Sequence, residues 1–164
     1  MIKFIINLNT NKVKLFTQLL VLNFVSGILT WFFIVRTFEK FKLFNPLIEH
    51  PFNGEVLELF FSAVFLVPLI EELIFRYHLR FYQQESIKRV MVILSSVAFG
   101  FIHIFNYEYD LTHIYFSLII TLPQIISGFV LAFARLNLGF WIAVILHATT
   151  NLLYIFFDEY VISF

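Results

Sequence analysis

The chain has 164 residues, 60% of them apolar (AVILMFWYC) and only 13% charged, and 24 are phenylalanine. Soluble domains carry about 45–50% apolar and about 25% charged residues, and a water-soluble fold of this size has too much surface to hide so many apolar side chains. The same figures exclude disorder. Eleven basic and eleven acidic residues cancel, with no long basic run to bind nucleic acid, and the absence of cysteine excludes disulfides, thiolate metal sites and a thiol nucleophile. The solvent for most of the chain is lipid.

Five apolar stretches are candidates to cross a bilayer, which takes about 20 residues: 15–35, 56–79, 90–105, 114–134 and 138–157, the third being short and expected to extend through Asn106 or Tyr107. They predict an all-α polytopic membrane helix bundle of about five transmembrane helices. The first follows Lys3, Lys12 and Lys14 but is too long for a signal-peptide core and ends at Arg36 without a small-residue cleavage site, so it is expected to be a retained span. The first connection, containing Pro46, Pro51 and Gly54, is the longest. The N-terminal tail with the second and fourth loops (Arg76, Arg80, Lys88, Arg89 and Arg135) holds eight basic residues against three (Arg36, Lys40, Lys42) on the other side. The expected orientation is N-terminus cytoplasmic and C-terminus outside. Ser96 and Gly100, and Gly128 and Ala132, are small residues at a spacing of four, which lets helices approach closely. Pro68 and Pro123 inside spans should each bend the helix and free a carbonyl for a neighbour to satisfy.

The informative residues are polar groups within the spans, because an ionised side chain at a helix centre costs roughly 2.5–3.5 kcal/mol and must face a partner or a wet cavity. They are Glu71, Glu72 and Arg76 on the second span, His103 on the third, and His147 with Asn151 on the fifth. At 1.5 Å of rise per residue, Glu71, His103 and His147 stand about 12, 20 and 14 Å from the same membrane face. Within ordinary tilt this is one layer. Glu72 and Arg76 have the spacing and order of a helical ion pair. That pair can simply neutralise itself. Glu71, about 100° round the helix, is either a proton-accepting base in apolar surroundings or a neutral hydrogen-bond donor. Ser96, Phe99, Gly100, His103 and Asn106 form one stripe, and His147, Thr150, Asn151 and Tyr154 another. Either stripe could be packing glue, and their coincidence with the acid favours chemistry. His50, His78 and His113 fall in or beside loops without an assigned role, and Gln124 is a weaker candidate on the fourth span.

These residues resemble a known family. Glu71-Glu72-Leu73-Ile74-Phe75-Arg76 matches the EExxxR motif, Phe99-Gly100-Phe101-Ile102-His103 the FxxxH motif, and His147-Ala148-Thr149-Thr150-Asn151 the HxxxN motif of the CPBP family, the CAAX protease and bacteriocin-processing intramembrane proteins, also called the Abi family. The resemblance covers residues 56–157 as a catalytic membrane domain. Residues 1–55 would then be an N-terminal tail, first span and connecting loop, and 158–164 a C-terminal tail. It implies an intramembrane endopeptidase acting on a membrane-proximal peptide or lipidated protein, as eukaryotic members remove the last three residues of prenylated CAAX proteins. By position, Glu71 would activate water, His103 would orient it, and His147 and Asn151 would stabilise the oxyanion. Glu72, Arg76 and Phe99 would be supporting residues. The chain has fewer spans than many relatives, so a substrate-gripping helix found in them is expected to be absent.

Zinc is a second option. Glu71, His103 and His147 could supply one carboxylate and two imidazoles, and relatives are described as metalloproteases. There is no HExxH helix, however, and Asn151 reads better as an oxyanion donor than as a ligand, so the expected cofactor is none. Two other functions compete: a non-catalytic family member such as a bacteriocin self-immunity factor, and a proton-coupled transporter, disfavoured by the lack of matching halves. The expected location is a prokaryotic cytoplasmic membrane, with the bilayer as partner.

Overall fold

A computed structural model describes residues 10–43, 56–107 and 111–157. His50, Pro46, Pro51, Gly54 and Lys3 lie outside the described residues. Five long helices follow in chain order. Helix α1 is Thr10–Lys40, with a π-helical stretch at Trp31–Val35. Helix α2 covers 56–75, again interrupted by a π-helical stretch, Ser62–Leu66. Helix α3 is Glu85–Ile102, extended by a tight 3₁₀ turn at His103–Asn106. Helices α4, Leu122–Leu138, and α5, Phe140–Phe157, complete the bundle. Among the described residues there is no strand.

Helices α1, α3 with its 3₁₀ turn, and α5 are long and apolar enough to cross a membrane. Helix α4 has 17 residues, about 25 Å of rise. Helix α2 carries three carboxylates, Glu58, Glu71 and Glu72. The bundle presents to its surroundings the apolar side chains that lipid requires, such as Leu22 and Phe33 on α1 and Ile70 and Ile74 on α2.

The spans read from hydropathy differ from the helices in two places. The fourth stretch, 114–134, is not one helix: Leu111–Tyr115 and Ser117–Ile120 are short helices, and α4 begins only at Leu122. Pro123 sits in the first turn of α4, where its missing N–H is one of the helix-start groups that lack an internal partner. It starts a helix rather than bending one. The second stretch ends earlier than 79, because Arg76, at φ −125°, leaves the helix and the chain turns through Tyr77–Phe81. The tight link from α4 to α5 is Gly139, whose φ of +97° a side chain would strain.

Helix α4 is the hub, packing on α1, α3 and α5. The small residues singled out in the sequence make its crossing with α3. A Cβ placed on Gly128 would lie 2.9 Å from the Ser96 backbone, and one placed on Gly100 would collide with Ile125. A buried apolar cluster beneath the crossing unites Phe99, Val130, Leu131, Ala134 and Leu146 with Leu19 of α1. Helix α1 is tied to α5 by polar contacts: Asn23 Nδ2 donates to Thr150 Oγ1 at 3.2 Å, and the Tyr154 hydroxyl reaches the Asn23 and Phe24 carbonyls at 3.3 Å. Gly128→Val pushes two methyl groups into the Ser96 backbone, and is expected to destabilise the bundle by about 2 kcal/mol. The measurement is unfolding in detergent against Ser127→Val as a control.

Candidate active site

Glu71 and Glu72 are neighbours on α2 and point about 100° apart. Glu72 faces inward to Arg76, with Nη1 and Oε1 3.1 Å apart and both side chains 0% exposed. The Arg76 guanidinium also lies 3.7 Å from the centroid of the Phe99 ring, and its Nε and Nη2, which have no hydrogen-bond partner, are buried there. A cation on an aromatic face away from water is stabilised by about 2 kcal/mol. Because α2 stops at Arg76, its last carbonyls need outside donors. Ser95 of α3 donates its hydroxyl to the Phe75 carbonyl, and Arg135 of α4 reaches the carbonyls of Arg76 and Tyr77, each at 3.3 Å. Arg135, placed in a loop by the sequence reading, is instead a buried helical residue that closes the end of α2.

The Glu72 carboxylate has a second neighbour that its spacing to Arg76 does not reveal. His147 of α5 faces Glu72 Oε1 with Nδ1 at 3.3 Å and Glu71 Oε2 with Nε2 at 3.5 Å. From α3, His103 donates Nδ1–H to the Phe99 carbonyl at 2.7 Å, since a carbonyl can only accept. Its Nε2 is thereby turned toward Glu71 Oε1, at 4.0 Å. The Phe99 ring stands between the two imidazoles, with centroids 4.8 Å from His103 and 5.6 Å from His147. Three helices therefore bring one carboxylate and two imidazoles together. Each imidazole is fixed through Nδ1 and presents Nε2 to Glu71.

Asn151 lies one turn beyond His147 and donates Nδ2–H to the Ala63 carbonyl of α2 at 2.9 Å. In a π-helix each N–H bonds the carbonyl five residues back, as Val67 does to Ser62. The next such donor would be residue 68, which is proline. Pro68 thus frees the carbonyl expected of it, and Asn151 satisfies it, leaving its second N–H available. His103, His147 and Asn151 line a cavity of about 550 Å³ that also has walls from α1 and α4. The histidines without an assigned role stay apart: His113 is buried in its own short helix, and His78 meets Tyr82 edge to face. Gln124 lines the cavity with a buried, unpaired Oε1.

Zinc needs ligand atoms at about 2.0–2.2 Å around one point. Among the described residues no group of three His, Asp or Glu side chains is arranged to hold a metal ion. The closest approaches within the set of Glu71, His103 and His147 are 3.5 Å, from Glu71 Oε2 to His147 Nε2, and 4.0 Å, from Glu71 Oε1 to His103 Nε2.

The description "type II CAAX prenyl endopeptidase Rce1-like" matches residues 53–153. The chain belongs to this family. The matched stretch contains Glu71, Glu72, Arg76, Phe99, His103, His147 and Asn151, and leaves α1 outside. Family membership makes the chain an integral membrane protein of the CAAX-type intramembrane endopeptidases, a class whose substrates are membrane-associated. No curated protein and no solved structure is detectably similar to it.

Removing one partner of a buried ion pair strands the other, at a cost of about 3–5 kcal/mol. Arg76→Met is therefore expected to lose stability on that scale. Arg36→Met, at a half-exposed pair, should lose less than about 1 kcal/mol. Denaturant unfolding in detergent measures both.

Proposed function

We propose that the protein hydrolyses a peptide bond in a membrane-associated substrate, such as a prenylated CAAX-like tail, by attack of a water molecule activated by Glu71. The observation that carries this reading is the meeting of Glu71 with the Nε2 atoms of His103 and His147. Water placed between Glu71 and His103 donates one hydrogen to the carboxylate and the other to the His103 Nε2 lone pair, which aims its oxygen at the scissile carbonyl. As the new C–O bond forms, Glu71 takes a proton and the carbonyl oxygen gains negative charge. The free Asn151 N–H is a donor for that oxyanion, joined by His147 Nε2–H when the ring is an imidazolium that also keeps its Nδ1–H on Glu72. When the C–N bond breaks, the proton on Glu71 passes to the leaving nitrogen, giving a carboxylic acid and an amine, which settle as carboxylate and ammonium, and restoring the Glu71 carboxylate.

Glu72 and Arg76 have a supporting role. Glu72 holds the His147 ring by Nδ1, and Arg76 keeps that carboxylate neutralised in a low-dielectric interior, where charge is felt more strongly than in water. The chemistry proceeds without a metal in this reading, since base and oxyanion donors are both supplied by side chains.

Purified protein in nanodiscs should cleave a farnesylated CAAX peptide, and Glu71→Gln should lower kcat by at least about a hundredfold with an unchanged unfolding midpoint. Full turnover by Glu71→Gln contradicts the assignment. A Glu71→Gln protein that still protects cells against a bacteriocin supports the immunity role instead. Dialysis against EDTA and o-phenanthroline should leave the wild-type rate unchanged, and loss of activity restored by zinc refutes the metal-free mechanism.

A further inference from the structure

The cavity lined by Phe99, His103, His147 and Asn151 of the second and third motifs receives one wall from α1, the helix outside the family match. Along α1 it runs from Gly27, which abuts the Tyr154 hydroxyl, to Arg36. The nine steps from Gly27 to Arg36 rise about 13 Å, the length of about four extended residues. Ile28, Trp31 and Phe32 make that wall apolar, and Arg36 brings the only lysine or arginine among the described residues that line the cavity.

Arg36 is half-exposed, at 52% of its side chain, and its Nη1 lies 2.7 Å from Glu39 Oε2, one turn along the same helix. A guanidinium carries five N–H donors in a planar fork, so one carboxylate does not saturate it. Glu39 uses Nη1 and holds the group in place, which leaves the rest of the fork for a second anion. An exposed pair of this kind contributes little by itself, so sharing the cation is not costly. An apolar trough with polar hydrolytic groups in one wall and a guanidinium at the end of another fits a particular occupant: a short apolar peptide whose last group is charged.

We propose that Arg36 is a specificity-determining residue that binds the free C-terminal carboxylate of the substrate peptide, with the apolar face of α1 packing against the side chains that precede it. The inference rests on the peptidase reading of the site, but it makes a claim about binding that can fail separately.

The probes are an S-farnesylated fluorescent peptide with three aliphatic residues after its cysteine, as the free acid and as the C-terminal amide. Wild-type protein in neutral-lipid nanodiscs should bind the acid about tenfold tighter than the amide. Arg36→Met should bring acid binding to the amide level without changing amide binding, and Arg36→Lys should restore part of the preference. In turnover the loss should appear in KM rather than kcat. Equal binding of acid and amide by wild type, an acid preference that survives Arg36→Met, or no binding of either peptide up to millimolar concentration overturns the anchor. Cleavage without acid preference leaves the peptidase reading standing and removes the anchor. Acid-selective, Arg36-dependent binding without cleavage by wild type supports the anchor and removes the peptidase reading.

Discussion

The interior of this bundle is organised by one electrostatic requirement: a carboxylate and a guanidinium placed in lipid must satisfy each other. Glu72 and Arg76 do so at 3.1 Å with no exposed surface on either, and most of the surrounding structure serves that pair. Phe99 covers the guanidinium, Ser95 and Arg135 close the helix end that Arg76 terminates, and His147 shares the Glu72 carboxylate. The pair therefore does more than neutralise itself. Through Glu72 it fixes the ring of His147, and through Phe99 it joins α2 to the helix carrying His103. Glu71, one residue away and turned to the other side, meets both imidazoles as a result.

Much of this arrangement is legible in the sequence, where a local rule fixes it. The four-residue spacing of Glu72 and Arg76 allows only one helical geometry, and the pair is where that spacing puts it. The small residues Gly100 and Gly128 mark the α3–α4 crossing because backbones cannot approach through a side chain. Pro68 signals an orphaned carbonyl, which becomes the Ala63 oxygen held by Asn151. The layer formed by Glu71, His103 and His147 follows from rise per residue alone.

The relations that escaped the sequence are long-range or depend on where a helix begins. No local pattern links Glu72 to His147, 75 positions away. Hydropathy runs smoothly through residues 114–134, so it does not register the break at Thr121, which is a matter of backbone angles. Arg135 looks like a loop cation because its partners are backbone carbonyls, which leave no mark in a sequence. The same holds for α1: apolar spacing identifies it as a span but does not reveal that Trp31, Phe32 and Arg36 border the cavity lined by His103, His147 and Asn151.

The central claim is that Glu71 and His103 serve one reaction centre, and the most direct test is a double-mutant cycle on kcat/KM for a farnesylated CAAX peptide using Glu71→Asp and His103→Gln. Residues that act on the same water should be strongly coupled, the double variant losing little more than the worse single one. The account predicts an interaction energy well above the about 0.3–0.5 kcal/mol within which independent sites add. Losses that simply multiply would show two groups working apart, and would contradict it.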